Sequence, residues 1–240
     1  MKRGFTLVEL SIVLVIIGLL IGGILVAQSM IGTAKVQAMV REIYQFDAAV
    51  ANFQTKYNSL PGDSKLFSPA GDGDGLIFDS TKNLTHFDSE IANFWPQLQQ
   101  SGFDSSDPIY VNDLSATGLI RNIGPNQNVP KIGLGVNSGV MVADSTPSRN
   151  AYYVADYSAA DVNLNNMKNT FTPVEALAID QKMDDGLPNK DTGIIIGTSE
   201  TGGCTVADAT VPGGFRYNVS SSGVNCFLSI DILSQSGGLN

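Results

Sequence analysis

Residues 10–27, LSIVLVIIGLLIGGILVA, carry one hydroxyl and no charge, and they constrain this 240-residue chain more than any other stretch. A run of that length is at the threshold for crossing a bilayer as a helix, the conformation in which a backbone satisfies its own hydrogen bonds in lipid. Lys2 and Arg3 precede the run, and the next cation, Lys35, lies beyond it. The positive-inside bias then leaves Met1 in the cytoplasm and the bulk of the chain outside. An ordinary signal peptide has a longer basic leader and a small-x-small cleavage site, for which Leu25-Val26-Ala27 is a poor match.

Glu9 is set just inside the apolar stretch. A charge at mid-bilayer costs roughly 2.5–3.5 kcal/mol on insertion scales, and less near an end. Either the carboxylate reaches the interface, or it needs a cationic partner supplied by something else. Gly4-Phe5-Thr6-Leu7-Val8-Glu9, behind a short basic leader and ahead of an apolar helix, resembles the N-terminus of the type IV pilin family. That superfamily comprises type IV pilins, minor pilins and the pseudopilins of type II secretion. The resemblance covers roughly residues 1–57. It implies a prepilin peptidase that cuts between Gly4 and Phe5 and methylates the new Phe5 amine. It also implies that Glu9 of an incoming subunit meets the Phe5 amine of a neighbour during filament assembly. An amine and a carboxylate buried together in an apolar core are tolerable only as a pair.

Beyond the apolar run, Val36, Met39, Val40, Ile43, Phe46, Val50, Phe53 and Tyr57 recur at the spacing of one helical face. Thr33, Lys35, Gln37, Arg41, Glu42, Gln45, Asn52 and Lys56 take the other side, and no proline occurs before Pro61. One helix over residues 5–57 is expected, roughly 80 Å long at 1.5 Å per residue. Asn58-Ser59-Leu60-Pro61-Gly62-Asp63 is its stop signal. Gly18 and Gly22 form a GxxxG pattern beside Gly23. Such spacing lets helices approach closely in lipid, whereas glycines also loosen a helix by about 1 kcal/mol each. The resemblance leans toward loosening, although the proline that many relatives carry nearby is missing here. Both readings stay open.

The chain therefore divides into a leader 1–4, a membrane or filament-core helix 5–27, the amphipathic half of the same helix 28–57, and an extracytoplasmic domain 58–240 large enough for its own core. The net charge is −9, and removal of Lys2 and Arg3 with the leader would bring it to −11. Nucleic-acid affinity comes largely from Lys and Arg contacts to phosphate, so this acidic exterior argues against a nucleic-acid partner.

After the helix, residues 64–85 are rich in Gly, Ser, Asp and Asn and read as a long surface loop. Gly71-Asp72-Gly73-Asp74-Gly75 is similar to the acidic start of a calcium loop, with Asp63 and Asp79 as further oxygens. Such a loop needs ligands at alternate positions and a bidentate Glu at the twelfth; Leu76 and Phe78 stand where ligands would be, and a glycine-rich turn is the simpler reading. Asp88 or Ser89 opens a short helix to Gln100 with Ile91, Phe94, Trp95 and Leu98 on its apolar side. Pro96 is expected in a first turn or at a kink. Trp95 is read as packing on the long helix rather than stacking a ligand. His86, the one histidine, is read as solvated.

From about residue 131 the pattern turns to strands, at 132–136, 140–143, 151–155, 193–197, 215–219 and 224–230, with turns at Gly213-Gly214 and Ser221-Ser222-Gly223. The fold class is therefore α+β, a long helix packed on a C-terminal antiparallel β-domain, pilin-like in arrangement. A second helix is expected over 173–183, with Thr172 and Glu175 as a capping box around Pro173, and Gly186 as the stop. Asp180, Asp184, Asp185 and Asp191 gather near its end. Carboxylates there oppose the helix dipole, which makes this cluster a better calcium candidate than Asp72 and Asp74; a solvated turn is again the simpler reading. Cys204 and Cys226, both outside the cytoplasm on this topology, read as a disulfide. It would close a loop of about 23 residues and contribute roughly 3 kcal/mol on the chain-entropy model. The resemblance reinforces the pairing, because many pilins staple a C-terminal loop.

With one histidine, no unpaired cysteine, no phosphate-cradling loop and no zinc-spaced ligands, no nucleophile–base arrangement is visible, and the chain is not read as an enzyme. The leading reading is a structural subunit of a type IV pilus or related type II secretion filament. It waits in the inner membrane in contact with lipid, then meets other pilin subunits and an assembly platform. The domain is longer than the resemblance leads one to expect of a major subunit, which favours a minor or specialised one. The alternatives are a tip adhesin binding through the 64–85 or disulfide loop, and a membrane-anchored binding domain that never polymerises.

Overall fold

The computed structural model describes residues 6–68, 70–77, 89–102, 129–132, 138–144, 149–157, 167–189, 193–198 and 202–232. Gly4, Phe5, Asp79, His86, Asp88, Asp191 and residues 133–136 of the first expected strand lie outside them.

Helix α1 runs unbroken over Leu7–Tyr57, 51 residues. It starts on Thr6, an extended N-cap, and stops at Asn58, whose left-handed backbone (φ 52°) lets its amide reach the Gln54 carbonyl at 2.8 Å. Asparagine is among the few residues that take this conformation cheaply. The helix passes through Gly18, Gly22 and Gly23 with nothing within 4 Å of where a Cβ would stand. Its second half buries the face expected for it: Val36, Met39, Ile43, Phe46, Val50 and Phe53, joined by Ala49, while Val40 and Tyr57 are half-buried at the margin. Phe53, Tyr57 and Phe67 form an aromatic trio with centroids 4.7–5.3 Å apart.

Helix α2, Ser89–Gln100, is more central than its one-sided pattern implies, because every residue from 90 to 98 is buried, polar ones included. Pro96 lies in the helix interior rather than in a first turn. Its ring removes an amide that would have bonded to the preceding turn; the fully buried Phe94, Trp95 and Leu98 on either side hold the segment helical. Trp95 packs edge-on against Phe46 of α1 at 4.8 Å and donates its indole N–H to the Val140 carbonyl at 2.9 Å. One side chain thus joins α1, α2 and the first strand, as its packing role requires.

The main sheet is antiparallel, in the order β1 (Ser138–Asp144), β2 (Asn150–Asp156), β6 (Phe227–Asp231), β3 (Ile195–Thr198). Each strand falls within a few residues of its expected place, and β6 enters the centre of the sheet from the C-terminal part of the chain. Val140, Met141, Val142 and Ala143 are all buried, so both faces of β1 are covered, since successive side chains point to opposite faces. A hairpin of β4 (Thr205–Ala207) and β5 (Phe215–Tyr217) stands apart from this sheet, turning at Gly213 and Gly214 with φ of 76° and 75°. Strand β4 has no counterpart in the strand pattern of the sequence.

Helix α3, Pro173–Met183, begins on the expected Thr172–Glu175 box with Pro173 in its first turn. It ends at Asp184, two residues before Gly186. The segment expected as a surface loop is instead partly interior: Ser64 and Ile77 are buried, and Asn150 of β2 binds Ile77 N at 2.7 Å and Gly75 O at 3.0 Å. A glycine-rich composition signals irregular backbone, not exposure.

Candidate functional site

The first half of α1 presents no packed face. Every large apolar side chain described over residues 7–31 is 46–87% exposed. Burying one such side chain is worth about 1.5–3 kcal/mol, so a monomer in water would forgo on the order of 25 kcal/mol or more. This helix is long and apolar enough to cross a membrane.

At its start, Glu9 Oε2 accepts from the Thr6 amide at 2.8 Å and from the Thr6 hydroxyl at 2.9 Å, while Thr6 Oγ1 accepts from Glu9 N at 3.3 Å. This is a reciprocal capping box, which satisfies donors that a helix start otherwise leaves orphaned. The T-x-x-E spacing of Thr6-Leu7-Val8-Glu9 is the signal that could have found it, although the expectation for Glu9 rested on its charge and on the family resemblance. Both donations fall on Oε2, and Oε1 accepts from no described residue. A carboxylate has about four lone-pair sites, so the cap leaves Glu9 able to take another donor.

Two acidic clusters lie among the described residues of the folded domain. In the first, one carboxylate oxygen from each of Asp63, Asp72, Asp74 and Glu90 lies within 4.8 Å of the others. Asp63 is buried and organises the turn: Oδ1 accepts from Gly73 N at 2.6 Å and Asp74 N at 3.0 Å, and Oδ2 from Gly75 N at 3.1 Å. Gly73 and Gly75 supply the positive φ (75° and 89°) that aims these amides inward. Glu90, in the first turn of α2, accepts from Asp72 N through Oε1 at 2.8 Å, while its buried Oε2 has no hydrogen-bond partner among the described residues. Burial, then the neighbouring Asp72, Asp63 and Asp74 charges, push the Glu90 carboxyl up to about 7. Burial raises Asp63 as well, against the amides that lower it. Sequence reasoning had Asp63, Asp72 and Asp74 together but missed Glu90, which arrives from another element.

The second cluster brings together Asp180, Asp184 and Asp185. It is not a solvated turn, since Asp180 is fully buried. Asp180 accepts from the Tyr217 hydroxyl at 2.7 Å and from Gly186 N at 2.8 Å. Asp184 Oδ2 accepts from Ile194 N and from Ile195 N, the latter at 3.1 Å, and Asp185 Oδ1 from Leu187 N at 2.8 Å. These carboxylates terminate α3 and dock it to β3 and β5. Burial is the main cause raising Asp180 to about 6, opposed by its two hydrogen bonds.

Cys204 and Cys226 are joined by a disulfide with Cα atoms 4.9 Å apart. Cys226 exchanges two backbone hydrogen bonds with Phe171 just ahead of α3, at 2.9 Å each. The bridge therefore ties the β4–β5 hairpin to β6 and to the approach of α3.

No curated protein and no solved structure matches the chain. A match does exist at the N-terminus, to the family described as the prokaryotic N-terminal methylation motif, over residues 1–25. Such a motif points to a structural rather than an enzymatic family, and in general terms to other pilins and prepilin peptidase as partners. With its bare apolar helix and antiparallel β-domain, the chain carries the N-terminal signature of type IV pilins and pseudopilins.

Proposed function

We propose that the protein is a minor or specialised structural subunit of a type IV pilus or related type II secretion filament. The observation that carries this reading is the uncovered apolar half of α1, most of which lies within the matched residues 1–25. Cleavage between Gly4 and Phe5 frees an amine one residue from the Thr6–Glu9 box. The subunit waits in the inner membrane with its domain outside, then is extracted by the assembly platform so that apolar helices bundle in the filament core. Oε1 of Glu9, open beside the cap, receives the Phe5 amine of a neighbouring copy and sets the axial register. The length of the part beyond residue 57 supports a minor subunit. The chain is then a substrate of processing enzymes and performs no catalysis itself.

Mass spectrometry of the mature protein tests this. Loss of residues 1–4 with gain of one methyl group is expected, together with recovery of the chain as a low-copy component of sheared filaments. An intact N-terminus on a protein that stays monomeric in the membrane overturns it.

A further inference from the structure

We infer that Asp63, Asp72, Asp74 and Glu90 form a calcium site that fastens the segment following α1, the 71–75 turn and the first turn of α2 to one another. Acidic side chains in a glycine-rich turn are common on protein surfaces and by themselves indicate nothing. Here two of the four are almost wholly buried, Asp63 at 2% and Glu90 at 3% exposure. None of the four makes an ion pair with a described Lys or Arg. The buried Oε2 of Glu90 has no hydrogen-bond partner among the described residues. A buried carboxylate oxygen without a donor is rare in native structures and calls for a ligand.

The geometry suits calcium. Calcium binds carboxylate oxygens at 2.3–2.6 Å, so opposed ligands around one ion stand about 5 Å apart; the four oxygens here lie within 4.8 Å of one another. Asp63 accepts backbone amides through both oxygens, two on Oδ1 and one on Oδ2, which leaves a lone-pair site on Oδ2 for a cation. Magnesium is usually held by one or two carboxylates and keeps several waters, whereas calcium accommodates more protein oxygens. Asp63 and Asp74 also line a cavity of about 590 Å³ with the exposed Lys65 and Gly73, which gives a hydrated ion a way in. The required Glu comes from α2, far along the chain, instead of from the twelfth position of a continuous loop.

The test uses the full-length protein in detergent micelles, stripped with a chelator and titrated with calcium chloride by calorimetry and thermal melting. One calcium per chain is expected, with a dissociation constant of about 10⁻⁴–10⁻³ M as in extracellular modules, and a melting temperature that rises with calcium. Asp72→Asn with Asp74→Asn retains the short turn hydrogen bonds to Asp74 N and Leu76 N. That double variant is expected to melt like the wild type in chelator and to lose calcium affinity tenfold or more. Glu90→Gln is expected to be at least as stable as the wild type in chelator and to gain nothing from calcium. The inference is overturned if the wild type shows neither heat nor a melting shift at about 10 mM calcium, where a site of this class is saturated. It is equally overturned if the double variant responds as the wild type does, or if magnesium produces the same shift as calcium.

Discussion

Helices α1 and α3 begin on the same box. In each, a threonine N-cap accepts from the amide three residues on at 3.3 Å, and a glutamate reaches back to the threonine amide and hydroxyl at 2.8–2.9 Å. The helices behind the two boxes have opposite surroundings. The α3 box leads into a helix whose Pro173, Ala176, Ile179 and Asp180 are buried in the domain. The α1 box leads into a helix whose large apolar side chains stay exposed through its first half. Local chemistry settles where each helix starts, and the surroundings in which the two glutamate charges stand differ. At Glu175 the charge is incidental to a cap. At Glu9 it stands at the mouth of an apolar rod that must be covered by lipid or by other copies.

The largest effect that would break this comparison comes from Glu9. Glu9→Gln keeps an acceptor for the Thr6 amide and removes only the charge. If the Phe5 amine of a neighbour needs that charge, filament incorporation should fall by a factor of hundreds, since an unpaired buried charge costs about 3–5 kcal/mol. Membrane insertion should be unchanged. Normal incorporation of Glu9→Gln, measured by quantifying the subunit in sheared filaments, would reduce Glu9 to a cap like Glu175. Next in size, Thr172→Ala should cost the folded domain about 1 kcal/mol. That corresponds to roughly 2–4 °C in melting temperature for a domain of this size, read by thermal denaturation of the full chain in detergent.

A pH scan sharpens the contrast from the other end of α3. Asp180 titrates near 6 in the folded protein against an ordinary value of 3.8, so the folded state holds its proton more tightly than the unfolded chain. Its contribution is complete below about pH 4 and is lost as pH rises toward 6. Asp180→Asn should flatten that part of the stability profile relative to the wild type, and an identical slope in the two proteins would refute the assignment. The smallest effect is expected for Thr6→Ala. This box supports no packed domain, so the melting temperature should stay within about 1 °C while the same change at Thr172 shifts it. Equal shifts would mean that the start of α1 is coupled to the core.

Much of this was legible along the chain. The buried face of α1 recurs every three to four residues, and its Asn58 stop and the Thr172–Pro173–Glu175 start of α3 are signals confined to a few neighbours. The features that sequence order did not announce were placed by distant contacts. α2 is buried on every side because α1, β1 and the 62–72 segment close over it, with Trp95 bonded to Val140 and Gln97 to Gly62, and no helical periodicity reveals that. Pro96 is kept inside that helix by packing that outweighs its local cost. The 64–77 segment is drawn inward by Asn150, a strand residue more than seventy positions away.

The chain by itself therefore determined the parts whose physics is local: an uncharged run long enough for lipid, a one-sided helix after it, caps, turns and a pair of cysteines. Tertiary structure alone decided which acids share a site. Asp63, Asp72 and Asp74 are near neighbours in sequence, but Glu90 joins them only when α2 docks, and Asp180 leaves solvent only when Tyr217 closes over it. Burial and the company of other charges are sums over everything nearby in space, and sequence order does not contain them.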